Sequence, residues 1–245
     1  MTKIVRKNYT QVRSNTSIGF FSFLEKIVRS HPFLYMIIRK LVRFTNIFEE
    51  DAHGIKLIKF EKNLNIMDIG ASDGIASKFF LKNLKVKKII CFEPDSNFIK
   101  ILKRLNKKIS VRPYAIGEKN QHIEVFFPEY TCFGKKFKFV TLCYYDQEIL
   151  KQQIKLDFKF RKNIKIIKKK LKIKKINKIN KKIGLIKIDV NGFEYSVIKG
   201  IIKIIKKDKP ALLLETGKET YKIKNLLSKY GYKQFNYSKK NNEFY

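Results

Sequence analysis

The segment "LNIMDIGASDG", residues 64–74, decides the fold. It begins as an apolar strand, turns at Gly70, and Gly74 stands directly before an apolar segment that predicts a helix from Ile75 to about Asn83. A buried strand that passes through a glycine turn into a helix is typical of the first unit of an open parallel sheet. Ligands of such sheets bind beyond the carboxyl ends of the strands, so the residues there are the first candidates for a site.

The same alternation of strand and helix continues along the chain. Strands are predicted at "KKIICFE", "ISVRPYAIG", "GLIKIDV" and "ALLLET", and helices at "SNFIKILKRL", at residues 195–207 and at "TYKIKNLLSKY". Between them, "HIEVFF" predicts an extra strand, and "FKFVTLCYY" is a further candidate strand. Residues 144–153 predict a helix, and residues 164–182 predict a solvated connection. With a closing hairpin of "GYKQFNY" and "NEFY", the pattern predicts an α/β fold: a mostly parallel sheet of seven strands with a C-terminal antiparallel hairpin.

The first 60 residues are predicted to form an N-terminal helical extension, and residues 61–245 the main domain. Residues 20–31 and 33–44 have the apolar periodicity of two helices with Pro32 between them. The apolar face of the second helix can pack on the main domain or lie on an anionic membrane surface, which would make the protein membrane-peripheral. No segment has the uncharged apolar length of a membrane span, and no cleavage site follows "IGFFSFL".

The formal net charge of +34 raises the question of nucleic-acid binding. Basic residues are mostly Lys, are spread over the whole length and are interleaved with Ile and Asn, which a genome rich in A and T explains without a nucleic-acid partner. The three Cys and three His include no pair at metal-ligand spacing. The sequence therefore predicts no metal site, no disulfide framework and a cytoplasmic location.

The first loop indicates a cofactor that contains adenosine. Gly70 permits a tight turn, Gly74 opens the helix, and Asp68 can hold the loop through backbone donors. Ser72 and Ile75 occupy glycine positions of the dinucleotide fingerprint, so a nicotinamide cofactor is disfavoured. Glu93 ends the next strand about 20 residues later, where a carboxylate can accept hydrogen bonds from both hydroxyls of a ribose.

A third group of candidates lies in "LIKIDVNGFEYSVIKG", residues 185–200. The two-residue period of a strand places Lys187 and Asp189 on one face, near its carboxyl end. Gly192 lets the chain turn, and Glu194 falls in the first turn of the next helix, where the helix dipole favours a carboxylate. The three charges form either an ion-pair and capping arrangement or part of an active site.

The ordered set "MDIGASDG", "CFEPD", "RPYAIG", "LIKIDVNGFEYSVIKG" and "PALLLET" resembles the FkbM-type methyltransferases over about residues 62–237. The resemblance implies the Rossmann-like class I methyltransferase fold and S-adenosyl-L-methionine as cofactor. It implies that the loop holds the methionine portion, that Glu93 binds the ribose, and that Tyr114 and Ala115 border the adenine. The loop residues concerned are Asp68, Gly70, Ser72, Asp73 and Gly74.

The resemblance also implies O-methylation of a hydroxyl on a sugar, a surface polysaccharide or a small molecule. We expect Asp189 to contact or deprotonate that hydroxyl, with Lys187 and Glu194 fixing its orientation and charge. Asn191 stands where the family commonly has Glu, so a catalytically degenerate module with the same fold is one alternative. A methyltransferase that acts on nucleic acid is the other, and the charge is its sole support. The acceptor and the oligomeric state stay open.

Overall fold

In the computed structural model, the described residues are 3–7, 34, 37, 50–60, 63–132, 134–157, 164–215, 219–238 and 240–245. Two compact units divide the chain. The first comprises Met1–Tyr9, Ile47–Ile123 and Leu171–Tyr245, and the second Thr10–Asn46 and Glu124–Lys170.

Strands and helices alternate over most of the described chain. The strands are β1 (Lys3–Lys7), β2 (Leu64–Ile69), β3 (Val86–Phe92), β4 (Ile109–Arg112), β5 (Ala115–Ile116), β6 (Gln121–Cys132), β7 (Lys135–Lys138), β8 (Ile164–Lys174), β9 (Leu185–Ile188), β10 (Ala211–Glu215), β11 (Lys233–Phe235), β12 (Tyr237–Ser238) and β13 (Glu243–Phe244). The α-helices are α1 (Ile75–Asn83), α2 (Ser96–Leu105), α3 (Gln147–Asp157), α4 (Glu194–Gly200), α5 (Ile202–Asp208) and α6 (Thr220–Ser228). Short 3₁₀ helices lie at Glu50–Leu57 and Val140–Leu142.

The main sheet has seven strands in the order β11-β1-β10-β9-β2-β3-β4, and each neighbouring pair is parallel. From β2 the chain moves outward through β3 to β4, and it then returns to the other side of β2 with β9. The order therefore reverses between β2 and β9, which pair from Ile66↔Leu185 to Ile69↔Ile188. A ligand cleft is expected at this switch point, beyond the carboxyl ends of both strands.

The predicted α/β architecture with a mainly parallel central sheet is confirmed, but the set of seven strands differs from the predicted one. Lys3–Lys7, which the sequence places in the N-terminal extension, forms β1 between β10 and β11. The predicted strand "HIEVFF" belongs instead to a four-stranded sheet of order β5-β8-β6-β7. The closing hairpin exists as β12 and β13, and it forms a separate two-stranded sheet.

Two apolar clusters cover the two faces of the main sheet, as the two-residue period of its strands requires. Ile66, Ile89, Leu185 and Leu213 belong to the cluster that includes Phe79 and Phe80 of α1. The alternate strand residues belong to the second cluster, together with apolar residues of α4, α5 and α6: Met67, Ile90, Ile186 and Leu212. We call these the α1 face and the α4 face of the sheet. Burial on both faces explains the continuous apolar runs in the sequence.

Local signals set the helix boundaries. Asp95 caps α2, since its Oδ1 accepts hydrogen bonds from the backbone N–H groups of Asn97 and Phe98. The single helix predicted over 195–207 is in fact two helices, because the chain leaves helical geometry at Ile201, whose φ is −116°. Ile201 is fully buried there, so its packing outweighs the continuous helical periodicity.

The second unit has its own small apolar core. Leu150 and Ile154 of α3 pack with Phe126, Tyr144 and Ile164, and β6 pairs with β7 in antiparallel fashion. Residues 164–174, predicted as part of a solvated connection, form strand β8. Alternation of apolar and Lys residues holds in its second half, where Leu171 is half-buried, Lys172 is exposed and Ile173 is buried, as in a strand with one covered face.

The predicted N-terminal helices lie outside the described residues, except that Leu34 and Ile37 are helical. In the described part of the chain, no helix combines the length and apolar character needed to cross a membrane.

Candidate functional site

Five polar side chains share the α1 face at the carboxyl ends of neighbouring strands. The two-residue period puts all five on the face where Leu64, Ile89, Leu185 and Leu213 lie: Asp68 of β2, Cys91 of β3, Lys187 of β9, Asp189 directly after β9, and Glu215 of β10. Asp68 and Lys187 are buried. The strand ends thus interrupt an apolar surface with charge at the switch point of the sheet.

Lys187 is the centre of this group. Its Nζ lies 3.3 Å from Oδ2 of Asp189 and 3.6 Å from Oδ1 of Asp68, and it donates a 2.9 Å hydrogen bond to the carbonyl oxygen of Gly70. Burial alone would lower the pKa of Lys187, but the charges of Asp189 and Asp68, with a smaller effect from Glu215, raise it to about 12. Lys187 is therefore a fixed cation that joins the two sides of the switch point.

Asp68 is held by side chains and not by the backbone donors expected from the sequence. Its Oδ2 accepts a 2.6 Å hydrogen bond from the hydroxyl of Ser77 in α1, and its Oδ1 faces Lys187. Sγ of Cys91 lies 3.3 Å from the same hydroxyl. Burial and the nearby charge of Asp68 raise the pKa of the Cys91 thiol, so this cysteine stays protonated and serves in packing.

The loop after β2 approaches the backbone after β9 closely. Gly70 has a φ of +74°, and a Cβ at this position would lie 2.0 Å from the carbonyl oxygen of Asp189. Gly74 has a φ of +82°, and a Cβ there would lie 2.2 Å from Cδ1 of Leu105. Both positions therefore require glycine for conformation and for space. Ser72, with a φ of +50°, turns the chain between them.

Glu93 ties this loop to the start of α2. One carboxylate oxygen accepts a 2.9 Å hydrogen bond from the backbone N–H of Ser72, and the other accepts a 2.8 Å bond from that of Asp95. Burial raises the pKa of Glu93 to about 7, although the two backbone bonds oppose the shift. Each carboxylate oxygen has a second lone pair with which it can accept a hydroxyl donor.

Glu194 shapes the turn after β9. Its Oε1 accepts hydrogen bonds of 3.1 Å from the N–H of Val190 and 3.0 Å from that of Gly192. Burial raises its pKa, against the opposing effect of these backbone donors. Asn191 lies inside this turn with a φ of +51°, a left-handed conformation that Asn tolerates better than Glu. The geometry of the turn thus accounts for Asn at this position.

Tyr114 and Ala115 lie at the end of the sheet beyond β4. Ala115 begins β5 and pairs with Ile173. The ring of Tyr114 packs edge-on against Phe92, with 5.8 Å between ring centroids, and Nζ of Lys174 lies 4.6 Å from the centroid of the Tyr114 ring. Tyr114 is therefore a fixed, half-buried wall beside the strand end that carries Glu93.

Three polar residues belong to this arrangement but were not predicted. Glu215 ends β10, so the rule that points to strand ends would have found it. Asp95 follows Glu93 in the quoted motif "CFEPD", and an Asp directly before a helix is a capping signal. Ser77 has no such signal, because its bond to Asp68 joins a strand to the buried side of a helix nine residues away. Searching the described residues reveals no group of three or more His, Cys, Asp or Glu side chains arranged to hold a metal ion.

A parallel sheet with a glycine loop and acidic strand ends at its switch point defines an α/β protein with a candidate ligand cleft beyond the carboxyl ends of its strands. The chain belongs to the FkbM methyltransferase domain family, whose sequence model matches residues 68–234. The match begins at Asp68 and includes every site residue described above.

Comparison with individual proteins adds one related structure. A crystal structure of the methyltransferase FkbM from Methylobacillus flagellatus shares 17% sequence identity, with a TM-score of 0.41 over 64% of this chain and 34% of that one. The chain thus spans about a third of the length of that protein. No curated protein matches the sequence significantly.

Proposed function

We propose that the chain is an S-adenosyl-L-methionine-dependent O-methyltransferase whose acceptor is a hydroxyl of a sugar, a surface polysaccharide or a small molecule. One observation carries the proposal: the buried Lys187 holds Asp189 beside the glycine loop. The side chain of Asp189 is 25% exposed, whereas those of Lys187 and Asp68 are 7% and 0% exposed. Asp189 is therefore the member of this charge group that a substrate can reach.

The loop and Glu93 fit the cofactor that the family implies. The hydroxyl oxygen of Ser72 is buried and accepts or donates no hydrogen bond, so a polar group of a ligand would satisfy it. Gly70 and Gly74 supply the positive-φ conformations with which the loop turns at the carboxyl end of β2. We assign the methionine portion to the loop of Asp68, Gly70, Ser72, Asp73 and Gly74, in which the buried Asp68 acts by anchoring the loop through Ser77. The ribose is assigned to Glu93. The adenine is assigned to the edge formed by Tyr114 and Ala115.

When bound, S-adenosyl-L-methionine supplies an electrophilic methyl group on a sulfonium. The remaining chemistry is positioning and proton transfer, to which well-oriented groups contribute several kcal/mol of barrier lowering. Asp189 would accept the hydrogen bond of the acceptor hydroxyl and take its proton, while the bond between the methyl carbon and sulfur would break and its electron pair would leave with S-adenosylhomocysteine. Lys187 fixes the direction of the Asp189 carboxylate through their 3.3 Å ion pair.

Glu194 supports this geometry from the other side of the turn. Because its Oε1 binds the N–H groups of Val190 and Gly192, it fixes the backbone that directly follows Asp189. In the proposal Glu194 is thus a positioning residue, and Asp189 is the residue that touches the acceptor.

The experiment is a transfer assay with S-adenosyl-L-methionine that carries a labelled methyl group. Purified protein is incubated with capsular and other surface polysaccharides, free sugars and small hydroxylated metabolites, and with RNA and DNA as comparison substrates. We expect the label in a hydroxyl-bearing sugar or small molecule, where it is present as a methyl ether. Label that appears in RNA or DNA alone would overturn the assignment of the acceptor class.

The proposal places the reaction in the cytoplasm, where the cofactor and activated sugars are made. Binding to anionic vesicles by the full chain, and its loss when the segment 33–44 is removed, would test a membrane-peripheral location for that segment.

A further inference from the structure

A cavity of about 480 Å³ lies on the α4 face of the main sheet, opposite to the face that carries Lys187 and Asp189. Its floor is β3 and β4, and its outer wall is formed by residues 176–181, between β8 and β9. Pockets that hold small molecules have volumes of roughly 300–1,000 Å³. The cavity therefore has the size of a metabolite site, and the proposed cofactor cleft does not account for it.

The cavity combines an apolar floor with a cationic rim. Ile90, Phe92, Ile176 and Ile179 supply apolar surface, and the ring of Tyr114 closes one side. Four cations also line it, and none of the lining residues is acidic: Lys88, Arg112, Lys178 and Lys181. Polar and charged side chains thus form the larger part of the lining, which favours an anionic ligand over a purely apolar one.

The position of Lys88 distinguishes this group from the many solvated lysines of the chain. Lys88 lies on the same side of β3 as Ile90 and Phe92, which are buried, and it is itself half-buried. Its neighbour Lys87 is exposed and lies on the other side of the strand. A partly desolvated ammonium attracts an anion more strongly than an ammonium in bulk water does.

The structure does not supply that anion. Within the part of the chain that the structure describes, Lys88, Arg112, Lys178 and Lys181 take part in no ion pair. By contrast, Lys187, on the opposite face of the sheet, faces two carboxylates. An anionic ligand would therefore meet four cations that have no carboxylate partner among the described residues. Of these four, Lys88 is half-buried and the other three are exposed.

We propose that this cavity binds a small phosphomonoester with an apolar or aromatic body. The planar guanidinium of Arg112 can donate two parallel hydrogen bonds to a phosphate, and Lys88 adds a compact point charge at the inner end. The apolar body of the ligand covers Ile90, Ile176 and Ile179. The cavity shares the ring of Tyr114 with the edge assigned to the adenine, but neither Lys187 nor Asp189 lines it, so the inference does not depend on the proposed methyl transfer.

Phenyl phosphate is the probe for this site. Phenol, which keeps its apolar ring, and inorganic phosphate, which keeps its charge, are the control ligands. Binding is measured by calorimetry on the full chain and mapped through the methyl resonances of isoleucine. We expect one equivalent of phenyl phosphate to bind and to shift the methyl signals of Ile90, Ile176 and Ile179, while those of Ile66 and Ile89 on the other face stay unchanged. Either half alone should bind at least about tenfold more weakly, because each loses one of the two kinds of contact.

Charge variants of the same strand give the matched control. The double variant Lys88→Gln with Arg112→Gln should weaken phenyl phosphate binding by at least about tenfold, since it removes two of the four cations. Lys87→Gln removes one charge from the same strand on the opposite face and should leave the affinity within about twofold. If the double variant and Lys87→Gln weaken phenyl phosphate binding equally, the binding reflects general attraction of anions to a basic protein, and the proposed site is wrong.

Two further results would also overturn it. Phenyl phosphate that fails to bind to the folded full chain contradicts the proposal directly. If S-adenosylhomocysteine displaces phenyl phosphate competitively, the cavity is part of the cofactor cleft, whereas the proposal requires both to bind together. Loss of S-adenosylhomocysteine binding alone would count against the proposed function and leave this site intact.

Discussion

Nζ of Lys187 lies 3.3 Å from Oδ2 of Asp189, at the edge of the sheet where the strand order reverses. The same ammonium donates to the carbonyl oxygen of Gly70, so one buried cation links the residue proposed to meet the acceptor with the loop proposed to hold the cofactor. This link explains why the apolar strand β9 contains a lysine: the charge is needed where two parallel strands end side by side. Four predictions follow from the geometry around it.

Replacing Asp189 by Asn should separate binding from turnover. Asn keeps the shape of the side chain but cannot take a proton, so turnover should fall by roughly 10²–10⁴-fold, the usual contribution of a general base. Calorimetric affinity for the cofactor should stay within a few-fold of that of the unmodified protein, because the cofactor is assigned to other residues. Turnover equal to that of the unmodified protein would remove Asp189 from this role.

Replacing Lys187 by Met should destabilise the fold strongly. The substitution leaves Asp68 buried and without its cation, and removal of one partner from a buried ion pair costs about 3–5 kcal/mol. The matched control is Lys199→Met, which breaks an exposed pair with Glu118 and should leave the free energy of unfolding nearly unchanged. Urea unfolding of both variants measures the contrast, and equal effects would contradict the structural role of Lys187.

Glu93 should make the cofactor-free protein less stable as the pH rises. Because the pKa of Glu93 is raised from 4.5 to about 7 in the fold, the folded state holds the proton more tightly than the unfolded chain. The stabilisation is fully present below about pH 4.5 and is lost as the pH rises through about 7. Glu93→Gln cannot ionise, so the unmodified protein should lose about 1–3 kcal/mol relative to this variant across that range.

The comparison of the two pH curves isolates Glu93, because the raised pKa of Glu194 is present in both proteins and cancels. Unfolding free energies from about pH 5 to about pH 8 provide the test. Parallel curves would show that the Glu93 carboxyl has no raised pKa in the folded protein.

Gly70→Ala should lower both the stability of the fold and the affinity for the cofactor. The loss of stability should exceed the cost of placing Ala in a positive-φ conformation. The new Cβ would lie 2.0 Å from the carbonyl oxygen of Asp189, so the loop or the end of β9 must move. Gly231 has a similar φ of +79° but has no atom within 4 Å of an added Cβ. Gly231→Ala therefore measures the conformational cost, about 1–2 kcal/mol.

The loss of stability in Gly70→Ala beyond the loss in Gly231→Ala then measures the cost of the contact between the added Cβ and the carbonyl oxygen of Asp189. Thermal unfolding and calorimetric titration of the cofactor on both variants give the two quantities. Equal stability and unchanged cofactor affinity would mean that the loop can move away from β9 at little cost.

Most of the main sheet could be predicted because its strands are short apolar runs bounded by glycine or charge. The same signal placed Lys187 and Asp189 on one face, since the period of a strand fixes which side chains are neighbours. The sequence did not predict β1, because Lys3–Lys7 contains five residues with little apolar pattern and pairs with strands more than 200 positions away. Such long-range pairing leaves no local trace.

Contacts between elements were the other part that could not be predicted. Ser77 looks like an ordinary helix residue until α1 is placed on the sheet, and only then does its hydroxyl meet Asp68. Asn191 looked like the loss of a carboxylate, whereas its positive φ explains why Asn suits that turn. In both cases the three-dimensional neighbour, and not the residue type, decides the role.

Calorimetric titration of the purified full chain with S-adenosyl-L-methionine tests the central claim most directly. The account predicts binding of one equivalent, abolished or strongly weakened by Gly70→Ala and retained in Asp189→Asn. Absence of binding by the folded protein at millimolar cofactor would contradict it and leave a methyltransferase fold that serves another purpose.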